Sequence, residues 1–199
     1  MSNYDVIRRL ASENNGVVTS KQAAGKDIDS WYFTALTRSG KLERVGRGIY
    51  LDSGSVNYDE MYFFQIKNKR CVFSYQSALF LHELTDRVPY REEVTVPQGY
   101  NKSRIKDKVS VHFIAKKWYD IGITKVKTTM GNEVFVYDME RTICDIIRDR
   151  KNQDPEVFSK AIHLYLKKQD KDIWRLREYA RQFRIYDRVE EILEVVVSE

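Results

Sequence analysis

TSKQAAGKDIDSWYFTALTRSGKLERVGRGIYL, residues 19–51, is the stretch whose reading decides the fold. Thr19-Ser20-Lys21-Gln22 fits the S/T-x-x-Q capping box, in which two side chains satisfy exposed helix amides reciprocally. The helix it opens is short, because Gly25 ends it. Asp27 and Asp29 are both candidate N-caps for a second helix, which runs to about Ser39 with Gly40 as a left-handed cap. Ile28, Phe33 and Leu36 point inward on that helix, while Ser30, Trp31, Thr34, Thr37 and Arg38 fall on the other side. Leu42 to Val45 and Ile49 to Leu51 then read as short strands around Gly46-Arg47-Gly48, a tight hairpin with an arginine at its tip. Helix, turn, helix and hairpin make the outline of a winged helix-turn-helix.

Working outward, residues 5–14 set Val6, Ile7 and Leu10 at helical spacing, closed by Asn15-Gly16, and Val17-Val18 is a very short extended piece. Asp52-Ser53-Gly54-Ser55 is a small polar linker, so the boundary is expected there: a head over 1–55 and a C-terminal domain over 56–199. Helices expected at 58–67 and 75–84 bracket the run 71–73. Strand-like runs follow at 93–96, 109–114, 123–129 and 133–137. Helices take over to the end, their starts marked by Asp138, by Asp154 with Pro155, and by Asp172. The expected class is α+β: a winged helix-turn-helix followed by a mixed α/β domain that ends in helices.

With 42% hydrophobic and 13% aromatic residues the chain is of the folding kind. Lys and Arg number 34 against 29 acidic residues, and the surplus sits in the middle: 98–127 holds eight basic residues and two Asp. Cys71 and Cys144 lie far apart in apolar surroundings and read as reduced, buried thiols. The first ten residues are polar and charged, unlike a secretory leader, and no apolar run approaches the roughly 18 residues that span a bilayer. A cytoplasmic location without membrane partners is expected.

Trp31, Thr34 and Arg38, with Ser30 and Thr37 on the same side, are suited to reading base edges; Arg pairs bidentately with guanine and Thr touches a thymine methyl. Lys21, Lys26, Lys41 and Arg47 suit phosphates, Arg47 by entering a minor groove from the hairpin. Winged helices also serve as protein–protein modules, and the even charge of 1–55, eight basic and six acidic residues, leaves that reading open.

The basic middle, Lys102, Arg104, Lys106, Lys108, Lys116, Lys117, Lys125 and Lys127, alternates with apolar residues. On strands, Lys106 would stand beside Lys108 and Lys125 beside Lys127, as a nucleic-acid surface or simply a solvated face. Asp138, Glu140 and Asp145 put three carboxylates within eight residues. They suit either a Mg²⁺-dependent nuclease delivered by the head, or a helix start with Asp138 as cap and Met139, Ile143, Ile146 and Ile147 as its buried stripe. His82, His112 and His163 are scattered without zinc spacing, and no phosphate loop or nucleophile elbow can be assembled. No enzyme activity, metal or cofactor is expected.

Four stretches in order, the head ending GKLERVGRGIY, then SYQSALFLHELTDRVP, EVTVPQG and VYDMERTICDII, resemble the AbiEi antitoxins of bacterial abortive-infection systems. The resemblance implies a winged helix that binds inverted repeats in the promoter of its own operon as a repressor, two copies acting as a homodimer or as paired monomers. It also implies a C-terminal antitoxin domain that opposes a nucleotidyltransferase toxin in phage defence. Neutralisation would be of type IV, without a stable toxin–antitoxin complex. Only the head positions and the basic surface carry over, since no short motif marks the antitoxic residues.

Overall fold

The fold is that of a computed structural model, which describes residues 2–54 and 59–197. It opens with α1 (Asn3–Ser12), started two residues earlier than its apolar spacing suggests because Ser2 and Asp5 form a capping box. Next come β1 (Val17–Thr19) and α2 (Ser20–Ala24), the latter capped by Thr19 with Gln22. Of the two candidate caps for α3 (Ser30–Arg38), Asp29 takes the role, accepting from the Trp31 amide. Asp27 instead turns the chain, with a left-handed φ of 58°. Gly40 is left-handed after α3, with φ of 71°. The hairpin follows as β2 (Leu42–Gly46) and β3 (Ile49–Asp52).

β3 lies between β1 and β2, antiparallel to both, with Val18 and Arg44 each opposite Tyr50. Alternation along the strands splits the packing of this small sheet. On one side Val18 and Leu42 join Ile7, Ala11, Ala23, Ile28, Phe33 and Leu36 of the helices. On the other, Val17, Val45, Ile49 and Leu51 bury themselves with Phe63 of α4 (Glu60–Lys67). Each buried Val, Leu, Ile or Phe among them contributes about 1.5–3 kcal/mol. The wing sheet is therefore covered on both faces.

The chain divides into two compact units, Met1–Asn68 with Lys127–Glu133, and Lys69–Val126 with Val134–Glu199. The expected boundary after Ser55, and the expected helix start at Tyr58, fall on residues 55–58, outside the described ones. In the first unit the buried Asp59 carboxylate accepts from the Thr128 hydroxyl and, at 2.9 Å, from the Asn132 amide.

The second unit is built on a five-stranded mixed sheet. Its strands are β4 (Val72–Phe73), β5 (Glu93–Pro97), β6 (Ser110–Ile114), β7 (Ile123–Lys127) and β8 (Glu133–Tyr137), in spatial order β6-β5-β4-β8-β7. β4 runs parallel to β8 and antiparallel to β5, and β5 parallel to β6. α5 (Tyr75–Leu81) ends three residues short of expectation, because Glu83 adopts a left-handed φ of 58°. A single-turn helix, α6 (Lys116–Tyr119), precedes β7 and is not evident in the sequence.

The terminal helices are α7 (Met139–Arg148), α8 (Pro155–Lys167), α9 (Ile173–Gln182) and α10 (Tyr186–Val197). Asp138, Asp154 and Asp172 cap the first three as their sequence positions indicate. α7 is buried from Glu140 to Ile147, with Ile143, Cys144, Ile146 and Ile147 packed among residues such as Leu79, Tyr165, Leu176 and Val189. Both cysteines are buried, and burial raises the Cys71 thiol to about 11.

Candidate DNA-binding surface

α3 is fixed from behind. Phe33 and Leu36 are buried, Phe33 meets the Tyr50 ring with centroids 4.5 Å apart, and Ile28 plugs the turn before the helix. What remains outside is Ser30, Trp31, Thr34, Ala35 and Arg38. Trp31 is 62% exposed although it is a large apolar ring, held edge-on to Tyr32 at 4.4 Å. Arg38, seven residues on and so on the same face of the helix, is exposed too.

Thr37 differs from its expected neighbours. It is half-buried, and its hydroxyl donates back to the Phe33 carbonyl at 2.7 Å, so it serves the helix rather than the exposed face. Ser30 is exposed and donates to the Asp29 carboxylate at 3.3 Å. Lys21 on α2, Lys26 in the turn, Lys41 after α3 and Arg47 on the hairpin are all exposed, with the Lys41 ammonium 4.4 Å from the Tyr4 ring centroid.

The wing is anchored at its turn. Ser20 at the start of α2 donates its amide to the Gly48 carbonyl, and Gly48 is left-handed at φ 70°. Arg44, not singled out in the sequence, is exposed on β2 and donates from Nε to the Gly46 carbonyl at 3.3 Å. It stands three residues before Arg47, and a bulge between Arg44 and Gly46 shifts the register there. Ala35, small and neutral and so without a signal in the sequence, is also exposed on α3.

All eight basic residues of the middle stretch are exposed. Lys106 and Lys108, however, are not side by side on a strand. Asn101 accepts from the Ser103 amide and starts a 3₁₀ turn over Lys102–Arg104, and further turns carry the chain to β6. Lys125 and Lys127 do share a face of β7. Aromatic rings interleave with these cations: Lys102 lies 5.5 Å from the Phe113 ring centroid and Lys125 5.6 Å from that of Phe135.

The three carboxylates near α7 go separate ways. Asp138 accepts from the Arg141 amide and the Tyr179 hydroxyl, and burial above all raises its carboxyl to about 6. Glu140 accepts from the Tyr165 hydroxyl at 3.1 Å and the Asp172 amide at 2.9 Å. Asp145 lies 2.9 Å from both the Arg141 and Arg148 guanidiniums. Among the described residues no group of three His, Cys, Asp or Glu is placed to hold a metal ion. His82 is half-buried on the Tyr137 carbonyl at 2.7 Å, and burial lowers its pKa.

The order of elements, α1-β1-α2-α3-β2-β3 with the hairpin closing the small sheet, is that of a winged helix-turn-helix. Residues 5–51 are similar to the family whose model is described as "Transcriptional regulator, AbiEi antitoxin". Among solved structures the chain is similar to the RV2827C protein from Mycobacterium tuberculosis, at 16% identity and a TM-score of 0.59, over 88% of this chain and 70% of that one. That likeness is one of fold. No curated protein matches the chain. No described helix is long and apolar enough to cross a membrane.

Proposed function

We propose that this protein is a cytoplasmic transcriptional repressor of its own operon and an antitoxin that opposes a nucleotidyltransferase toxin without a lasting complex. The observation that carries the reading is the outward face of α3, with Trp31, Thr34 and Arg38 in solvent on a helix braced by Phe33 and Leu36.

In this reading residues 1–55 hold duplex DNA and 56–199 carry the antitoxic role. Arg38 pairs with a guanine, Thr34 meets a thymine methyl, and Trp31 and Ser30 fill the groove beside them. Lys21, Lys26 and Lys41 neutralise phosphates, while Arg47, joined by Arg44, enters a minor groove. Two copies, as a homodimer or as paired monomers, occupy inverted half-sites separated by whole helical turns. The exposed basic residues from Lys102 to Lys127 offer further contact to nucleic acid. No cofactor is needed.

Fluorescence anisotropy with the promoter duplex and a scrambled duplex, in moderate salt, tests the repressor half. Tighter binding of the promoter is expected, and equal binding would sink it. Co-expression with a nucleotidyltransferase encoded next to it tests the antitoxin half through restored growth. Incubation of DNA and RNA with the protein and Mg²⁺ should leave both intact; cleavage would favour the nuclease alternative at Asp138, Glu140 and Asp145.

A further inference from the structure

The second unit contains a cavity of about 800 Å³ to which the regulatory reading gives no task. Its size is that of an ordinary small-molecule site. Phe158 and Ile162 of α8 and Ile192 of α10 give it apolar walls. Arg148, Arg150, Lys151 and Arg188 also line it, against the carboxylates Asp149 and Glu191. Asp149 is engaged by the side-chain amides of Asn152 at 2.6 Å and Gln153 at 3.4 Å.

Two details sharpen the chemistry. The Arg150 guanidinium lies 4.2 Å from the Phe158 ring centroid, a flat cation backed by an aromatic ring. Arg148 has Nη2 within 2.9 Å of Asp145 and 3.4 Å of the Tyr75 hydroxyl, while its buried Nη1 has no partner. A buried guanidinium N–H without an acceptor is costly, and an anion is its natural complement.

We infer that this cavity binds a nucleoside polyphosphate, its base stacked on the Arg150–Phe158 platform and its phosphates on Arg148, Lys151 and Arg188. With Arg148 already facing Asp145, three further cations, Arg150, Lys151 and Arg188, stand against Asp149 and Glu191 and match a multiply charged anion, where a fatty acid would need only one cation. The apolar walls and the guanidinium plane match a heteroaromatic base, where an inorganic polyphosphate would leave them unused.

Isothermal titration calorimetry of the whole chain without DNA, using ATP, inorganic triphosphate and adenosine as separate probes, tests this independently of promoter binding. ATP is expected to bind with Kd between ~1 µM and ~1 mM, and the other two at least ~10-fold more weakly. Lys151→Glu with Arg188→Glu, at two exposed positions, should preserve the circular dichroism spectrum and melting temperature while weakening ATP at least ~10-fold. The inference is overturned by an absence of ATP binding, by triphosphate binding as tightly as ATP, or by a folded double variant that binds ATP unchanged.

Discussion

The Ser20 amide donates to the Gly48 carbonyl at 2.9 Å and so fastens the wing's turn to the first residue of α2. A side-chain carbon added at Gly48 would come within 2.7 Å of the Ser20 hydroxyl, at a φ of 70° that disfavours any L side chain. Glycine alone keeps the hairpin seated, and with it the placement of Arg44 and Arg47.

Gly48→Ala is therefore expected to cost about 1–3 kcal/mol of stability, from the left-handed backbone and the displaced turn together. Thermal denaturation checks this. Promoter affinity should fall as well, although no side chain proposed to touch DNA has been removed.

Arg38→Ala should relax base preference at one operator position, by about 1–3 kcal/mol if a bidentate contact is lost. Trp31→Ala should do the same at a neighbouring position. Both residues are exposed, so stability should stay within about 0.5 kcal/mol. Lys26→Ala and Arg47→Ala should weaken all duplexes alike and lower the salt slope by about 1 each. Binding to operators altered one base pair at a time, across a salt series, separates the two behaviours.

Reversing the charge at Lys106, Lys108, Lys125 and Lys127 together should leave the fold intact, because all four are exposed. It should reduce either DNA affinity or protection against the toxin. A folded variant unimpaired in both assays would show that these lysines only solvate the surface.

Arg141 is fully buried, bonded through Nε to Asp145 at 2.9 Å and through Nη1 to the carbonyls of Trp118 at 2.8 Å and Ile121 at 2.7 Å. Arg141→Met should destabilise by about 3–5 kcal/mol, because buried acceptors lose their donor. Arg141→Lys should rescue little of it, having neither the fork nor the plane over Tyr137. Urea denaturation measures both.

Asp138 is held protonated to about pH 6, against 3.8 for an unburied aspartate. The folded chain binds this proton more tightly than the unfolded one. The resulting stabilisation is complete below the unfolded value and fades as pH rises through about 6. Asp138→Asn keeps a capping oxygen but cannot ionise. Relative to the parent it should gain about 1–2 kcal/mol between pH 4 and pH 7, read from denaturation midpoints at the two pH values.

The head was legible because its signals are local. The Thr19–Gln22 box, the glycine after α3 and the paired glycines of the wing each announce themselves within four residues. What was hidden is non-local or lacks a marker residue. Nothing near Phe63 tells that it closes the far side of the wing sheet with Val17 and Val45. Glu83 ends α5 in a conformation usually left to glycine. The alternating lysines around Ile105 look like a strand, yet Asn101 bends the chain first and no neighbouring strand pairs with them. Three carboxylates close in sequence suggest a shared site, but a helix points successive residues in different directions: Asp138 takes the Arg141 amide, Asp145 the Arg141 side chain and Glu140 the Asp172 amide.

The covering of the wing sheet by α4 governs how the molecule can be trimmed. A fragment stopping at residue 55 would strip Phe63 from Val17, Val45, Ile49 and Leu51 and leave four greasy side chains wet. Extending it to residue 68 restores that lid but still leaves Asp59 without Thr128 and Asn132. An isolated head made for binding work should therefore include α4 and an Asp59→Asn exchange, or else be studied within the intact chain.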